Sequence, residues 1–174
     1  MIDGLKYLDS LENASVYMIT NQPGVAIEDF PLLTLDRANE VCRYVINELE
    51  RLGGQIKGYF FCPHAHPYYV KKRSKYQFDE KMICDCDCIK PNPGMVFKAL
   101  EAEGLTLETT DIYVIGDRSS DVKTALNVNG KGILVPFEKE PGQVEKVREL
   151  NQAHIHIAKN FLDATYFIKN TVNN

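Results

Sequence analysis

Cys62-Pro63-His64 and Cys86-Asp87-Cys88 place three thiols and an imidazole at either end of one 21-residue stretch, Ala65 to Asp85. Three sulfurs and one ring nitrogen make a tetrahedral zinc set. Four protein ligands leave no coordination position for water, so such a zinc would be structural. Cys62, His64, Cys86 and Cys88 are the favoured ligands. Cys84 also makes a C-x-C with Cys86, and His66 competes with His64. The plainer reading is a chance set of buried cysteines, and Cys42, on the apolar face of a helix pattern, fits that description. A C-x-H and a C-x-C flanking one loop are harder to obtain by accident. Metal ligation would also offset the entropy cost of ordering so long a loop.

Lys90 lies two residues past Cys88, between Ile89 and Pro91. A lone lysine is ordinarily solvated. Fixed beside a metal clamp, with Pro91 and Pro93 following, its ammonium would suit a phosphoryl group. Thr20-Asn21-Gln22-Pro23-Gly24 offers a hydroxyl, an amide and loop N–H groups that could cradle a phosphate, although such a string is more often a turn. Gly116-Asp117-Arg118-Ser119-Ser120-Asp121 supplies Asp117, either a helix-capping carboxylate or a ligand for Mg²⁺. Lys71, Lys72, Arg73 and Lys75 form a basic cluster inside the long loop, either simply solvated or a rim that attracts an anion. His154 and His156 alternate with Ile155 and Ile157 and are expected to face solvent or a partner.

The elements that position these residues follow from periodicity. Short apolar runs predict strands at Val16–Ile19, Gly58–Phe61, Asp111–Ile115, Gly132–Val135 and His154–Ile157. Ala38, Val41, Cys42, Val45, Leu49 and Leu52 recur at helical steps and predict a helix over 35–52, stopped by Gly53-Gly54. Further helices are expected at 93–103, before Gly104, from Ser119 or Ser120 to Asn127, and over about 160–169. Alternating strands and helices imply an α/β domain with a mostly parallel sheet and helices on both faces. Ligands of such sheets bind outside the carboxyl ends of the strands, where Thr20, Cys62 and Asp117 would meet.

The chain has 174 residues and a net charge of -4, the balance of a single mildly acidic domain spanning 1–174 with a metal-loop insertion at about 62–88. The acidic balance argues against a zinc module for nucleic acid, which needs a basic face. No apolar run reaches membrane-span length, and no basic-then-apolar leader opens the chain. Five cysteines, four of them within 62–88, fit thiolate ligation in a reducing compartment, so a cytoplasmic location is expected.

Taken together these segments resemble the haloacid dehalogenase (HAD) superfamily, and within it the zinc-bearing branch of histidinol-phosphate and D,D-heptose bisphosphate phosphatases. Thr20-Asn21-Gln22-Pro23-Gly24 resembles the second motif. Cys62-Pro63-His64, Cys86-Asp87-Cys88 and Lys90-Pro91 resemble the zinc loop and third motif, and Gly116 to Asp121 the fourth. The long loop and Lys90-Pro91-Asn92-Pro93-Gly94-Met95 lean towards the heptose side. The resemblance implies a Rossmann-like HAD fold and a phosphatase of small phosphorylated sugars or alcohols. It makes Thr20 and Asn21 binders of the phosphoryl group, Lys90 its clamp and Asp117 a Mg²⁺ ligand. The implied mechanism is two-step transfer through an aspartyl phosphate.

Two departures stand out. The family carries Arg-Lys-Pro where this chain has Ile89-Lys90-Pro91, so one substrate-binding cation is absent. The family's first strand, ending in the Asp-x-Asp-Gly that holds the nucleophile, has no counterpart in the sequence; Asp3-Gly4 follows only Met1-Ile2, and residues 4–8 match the helix beyond that strand. A truncated chain, a misplaced start or a natural deletion would each account for this. Impaired catalysis is expected, with two rows of backbone groups left unpaired, or paired with a second copy or a partner chain.

Overall fold

The computed structural model describes residues 1–172. Its strands are β1 (Tyr17–Asn21), β2 (Gly58–Cys62), β3 (Tyr113–Gly116), β4 (Lys131–Leu134) and β5 (Ile155–Ile157). Its helices are α1 (Ile2–Asp9), α2 (Leu35–Arg51), α3 (Pro67–Lys72), α4 (Gly94–Glu103), α5 (Ser119–Leu126), α6 (Gln143–Arg148) and α7 (Phe161–Val172). Every strand pair is parallel, as the apolar runs and intervening helices require.

The strands form two sheets, β1-β2 and β3-β4-β5. Gln22 N–H donates to the Cys62 carbonyl and Lys57 N–H to that of Val16, so the even-numbered residues of β1 turn their backbone groups towards β2. By alternation Tyr17, Ile19 and Asn21 face away from β2. Likewise Lys131 N–H donates to the Ile112 carbonyl and Val135 N–H to that of Gly116, so Tyr113 and Ile115 face away from β4. Among the described residues no backbone hydrogen bond joins β1 to β3. The expected pair of unpaired edges is therefore present.

Packing holds the two sheets together instead. Val96 and Leu100 of α4 share a core with Val114 of β3, Ala125 of α5 and Val128, and Ile19 of β1 packs against the same group. The opposite face of β3-β4 is covered by Leu8 of α1 with Ala164 and Ile168 of α7, around Ile133. A cluster of Val122, Leu134 and Val147 seats α6. α4 ends at Gly104, whose φ of +65° suits a residue without a side chain at the helix terminus.

Several expectations need correction. α2 buries Ala38, Cys42 and Ile46, whereas Val41, Val45 and Leu52 are exposed. α5 is capped at Arg118, not by Ser119 or Ser120: the Asp121 carboxylate accepts the Arg118 N–H at 3.0 Å. His156 does not face solvent; it stacks on Phe167 with ring centroids 4.1 Å apart. The stretch between the ligand pairs is not a bare loop. It contains α3 and a 3₁₀ turn at Glu80–Met82, and it folds back on 26–30 through an antiparallel bridge of Phe78 with Ile27. Among the described residues no helix is long and apolar enough to cross a membrane.

Candidate functional site

Cys62 ends β2, fully buried, and His64 follows two residues on. Cys86 and Cys88 return from the other end of the long stretch. Six separations among Cys62 Sγ, His64 Nδ1, Cys86 Sγ and Cys88 Sγ run from 2.9 to 3.6 Å. Each atom is thus close to every other, as at the corners of a tetrahedron. Zinc with sulfur at about 2.3 Å would set edges of about 3.8 Å, a small expansion from this arrangement. The donor set therefore fits zinc. Burial pushes the Cys62 and Cys88 thiols up. Burial also opposes charge on Cys86, but hydrogen bonds from Cys88 and Cys62 outweigh it and hold that thiol below its ordinary value.

Cys84 and His66 stand outside the cluster. Cys84 N–H bonds the Ala65 carbonyl, a link that closes the neck of the stretch. His66 caps α3, its Nδ1 accepting the Tyr68 N–H at 3.1 Å, and its Nε2 lies 3.7 Å from Asp85. Gly94, the first residue of α4, donates to the Asp87 carbonyl between the two ligands. A Cβ there would come within 2.6 Å of that oxygen, so only glycine lets the helix seat against the ligand turn.

Lys90 lies beyond this clamp. Asn21 grips its backbone at two points: Lys90 N–H donates to Asn21 Oδ1 at 3.0 Å, and Asn21 Nδ2 donates to the Lys90 carbonyl at 3.3 Å. The Lys90 ammonium donates to the Ile19 carbonyl at 3.0 Å and pairs with Asp121 at 2.6 Å. It thereby spans from the outward edge of β1 to the start of α5. Thr20 lies next to Asn21 at the end of β1, its hydroxyl accepting from Gln22 Nε2 at 3.2 Å. Asp117 follows β3 directly and is half-buried.

Thr20, Asn21, Cys62, Lys90 and Asp117 thus share the carboxyl edge of the two sheets. Asp121 is the residue that sequence reasoning passed over. Its spacing of four from Asp117 would have found it, since a strand end and the first helical turn after it fall together. Both Asp121 oxygens are engaged, one by the Lys90 ammonium and the other by the Arg118 N–H, so Asp117 is the carboxylate at this edge whose oxygens are open to a hard cation such as Mg²⁺. Ile89, where the family has arginine, is buried beside Cys62, Cys88 and Met95.

A cavity of about 410 Å³ opens over this edge, lined by residues that include Asn21, His64, Tyr68, Tyr69, Lys90 and Asn92 but not Thr20, Asp117 or Asp121. A hollow of about 450 Å³ lies at the opposite end, near Thr110, Asp111 and Lys131. Parallel sheets bind ligands at their carboxyl ends, so the first cavity is the candidate site.

Residues 87–164 match the HAD-hydrolase-like family model. Similar curated proteins include the D-glycero-beta-D-manno-heptose-1,7-bisphosphate 7-phosphatase of Pseudomonas putida, 31% identical over 132 residues. The protein of that name from Escherichia coli K12 is 29% identical over 136 residues. The matches cover 76% and 78% of this chain and 63% of each relative, so the chain spans less than two thirds of their length. Among solved structures, the D,D-heptose 1.7-bisphosphate phosphatase of B. bronchiseptica, complexed with magnesium and phosphate, superposes with a TM-score of 0.68 at 19% identity. That match covers 98% of this chain and 82% of the other. The likeness to the haloacid dehalogenase superfamily is borne out in family match and fold, and the Cys/His cluster fits its zinc-bearing branch.

Proposed function

We propose that this HAD-like chain binds the phosphoryl group of a small phosphorylated sugar or alcohol, and that it descends from a phosphomonoesterase of the heptose bisphosphate or histidinol phosphate kind. The observation that carries the reading is the Lys90 ammonium, buried at the carboxyl edge and held at 3.0 Å from Ile19 and 2.6 Å from Asp121. A cation fixed at that point costs no reorganisation when a phosphate arrives. Thr20 supplies a hydroxyl beside it, and Asn21 positions it. Cys62, His64, Cys86 and Cys88 would hold zinc, which would serve as a structural clamp behind Lys90. Mg²⁺, held by Asp117, would offset phosphoryl charge when bound.

Hydrolysis by residues 1–174 alone is expected to be weak. In the implied two-step reaction a carboxylate forms a bond to phosphorus, the alcohol leaves, and water then cleaves the aspartyl phosphate. The expectation of weak hydrolysis rests on reading no counterpart in residues 1–174 to the strand that carries the nucleophile in the family the chain resembles. Phosphate binding can be followed by ³¹P spectroscopy and turnover by phosphate release from a heptose bisphosphate with Mg²⁺. Binding that survives Lys90→Ala would overturn the site, and robust turnover would overturn the expectation of weak hydrolysis.

The facing edges of β1 and β3 favour a second reading, a non-catalytic role in which a second copy or partner chain adds a strand between them. Light scattering that gives a monomer, with the outward amides of both edges already protected from exchange, would exclude it.

A further inference from the structure

The turn before α2 and the stretch after α3 are joined into one surface. Glu28 N–H donates to the Gln77 carbonyl, Asp79 N–H to that of Ala26, and Gln77 N–H to the Asp29 carboxylate at 2.6 Å. Phe30 then lies against Tyr76, with ring centroids 5.1 Å apart. Beyond this seam the chain turns back, held by Leu33 N–H on the Phe30 carbonyl at 2.8 Å and by the Thr34 cap of α2. The turn leaves Leu32 84% exposed, with Phe30, Leu33 and Leu35 exposed around it. A turn fixed at both ends thus holds a contiguous apolar group in water, where it adds nothing to the core.

The other half of the surface is cationic. From Pro67 to Phe78 the chain carries Lys71, Lys72, Arg73 and Lys75 and no carboxylate. All four are exposed, and among the described residues none enters an ion pair. Three of them lie over rings. Lys72 Nζ is 4.6 Å from the Tyr68 centroid, Arg73 Cζ 5.9 Å from that of Tyr69, and Lys75 Nζ 4.7 Å from that of Tyr76. Tyr76 is the ring that meets Phe30, so Lys75 links the cations to the apolar turn. Of the neighbouring carboxylates, Asp29 is taken by Gln77 N–H and Asp79 by Lys81 N–H at 3.0 Å; Glu28 and Glu80 are the other acidic groups of the two segments.

A protein partner for Leu32 would have to offer a pocket shaped to it, whereas a fluid acyl phase needs no such shape. Tyrosine rings and the stems of lysine and arginine favour the boundary between headgroups and acyl chains. We propose that residues 30–33 with 68–76 form a peripheral docking surface for an anionic lipid bilayer. Phe30, Leu32 and Leu33 enter the headgroup–acyl boundary, and Lys71, Lys72, Arg73 and Lys75 meet the lipid phosphates. Tyr68 and Tyr69 also line the cavity over Lys90, so docking sets that cavity beside the membrane surface.

Sedimentation of the full chain with vesicles of phosphatidylglycerol and phosphatidylcholine, against phosphatidylcholine alone, tests this. The chain has no tryptophan, so Leu32→Trp reports on the turn by itself. Binding to the anionic vesicles, release at high salt and a blue shift of the Trp emission on binding are expected. Lys72→Ala with Lys75→Ala should weaken binding by about 25-fold, roughly five-fold for each cation. Lys72→Arg with Lys75→Arg should keep it. Both positions are exposed, so neither variant threatens the fold. Equal binding to neutral vesicles, binding that the double alanine variant retains, or binding without a shift at position 32 overturns the proposal. Competition by inorganic phosphate at matched ionic strength overturns it too, by putting the headgroup at Lys90. Indifference to vesicles also overturns it, and capture by polyglutamate in that case assigns the surface to an acidic peptide.

Discussion

Lys90 and Asp121 leave 13% and 5% of their side chains exposed, so each is the other's main compensation for lost hydration. Removing one partner strands the other. Lys90→Ala should cost about 3 kcal/mol in urea denaturation, by the usual penalty for a buried charge left alone. Lys90→Met with Asp121→Asn should recover most of that stability without restoring phosphate binding. A double variant no more stable than Lys90→Ala would show that the pair is not what Lys90 contributes. Cys88 offers a separate test. One zinc per chain is expected by metal analysis, and Cys88→Ser should weaken retention and lower the melting temperature as a chelator does, because site and fold form together. A chain whose melting is indifferent to chelation would sink the structural role. The Cys62, His64, Cys86 and Cys88 cluster was legible because its short spacings, C-x-H and C-x-C, are covalently close. Asp121 was harder to read, since its partner lies 31 positions earlier and only the fold brings the two together.

At the scale of elements, Glu103 ties the end of α4 to both strands of the smaller sheet. Tyr17 O–H donates to it at 2.6 Å, Lys57 Nζ at 2.9 Å and Ser15 O–H at 3.1 Å. The Tyr17 hydrogen bond, followed by that of Lys57, holds the Glu103 carboxyl below its ordinary value. Its stabilisation is therefore present above the unfolded value and is lost as pH falls through the lowered folded one. Tyr17 is pushed from 10.0 to about 12, chiefly by the same hydrogen bond. Its stabilisation is complete below 10.0 and fades as pH rises through about 12. Tyr17→Phe should lower the melting temperature at neutral pH, abolish the alkaline decline and soften the acid one. Equal pH profiles for both proteins would refute the link. The strands, α2 and α4 were legible from apolar period and glycine stops. α3 and α6 were not. Each spans only 6 residues, too few to show a period, and they owe their place to contacts such as Tyr69 on Phe78 and Val147 on Leu134.

For the whole molecule, the alternation along β1 and β3 makes a fine-grained prediction. Amides of Met18 and Val114 point into ladders, whereas those of Tyr17, Ile19, Tyr113 and Ile115 point out of them. Hydrogen exchange read residue by residue should be slow at the first pair and faster at the four others. Uniform protection along both strands would mean that a further strand already lies between them. The split into two sheets is one of the outcomes expected from reading no counterpart to the family's first strand. The means of holding the halves together is not, because it depends on Ile19 reaching the α4–α5 core across the gap.

Lys90 gives this split a thermodynamic consequence. Its ammonium is engaged by the Ile19 carbonyl, the group that a strand added beside β1 would claim for itself. A strand that took over this carbonyl would leave the ammonium with Asp121 as its remaining fixed partner. If phosphate binds the ammonium as fixed by both groups, the strand would weaken phosphate, and reciprocity would have phosphate weaken the strand by the same factor. Edge pairing and ligand binding would then be one coupled equilibrium, and a titration of either would report on the other.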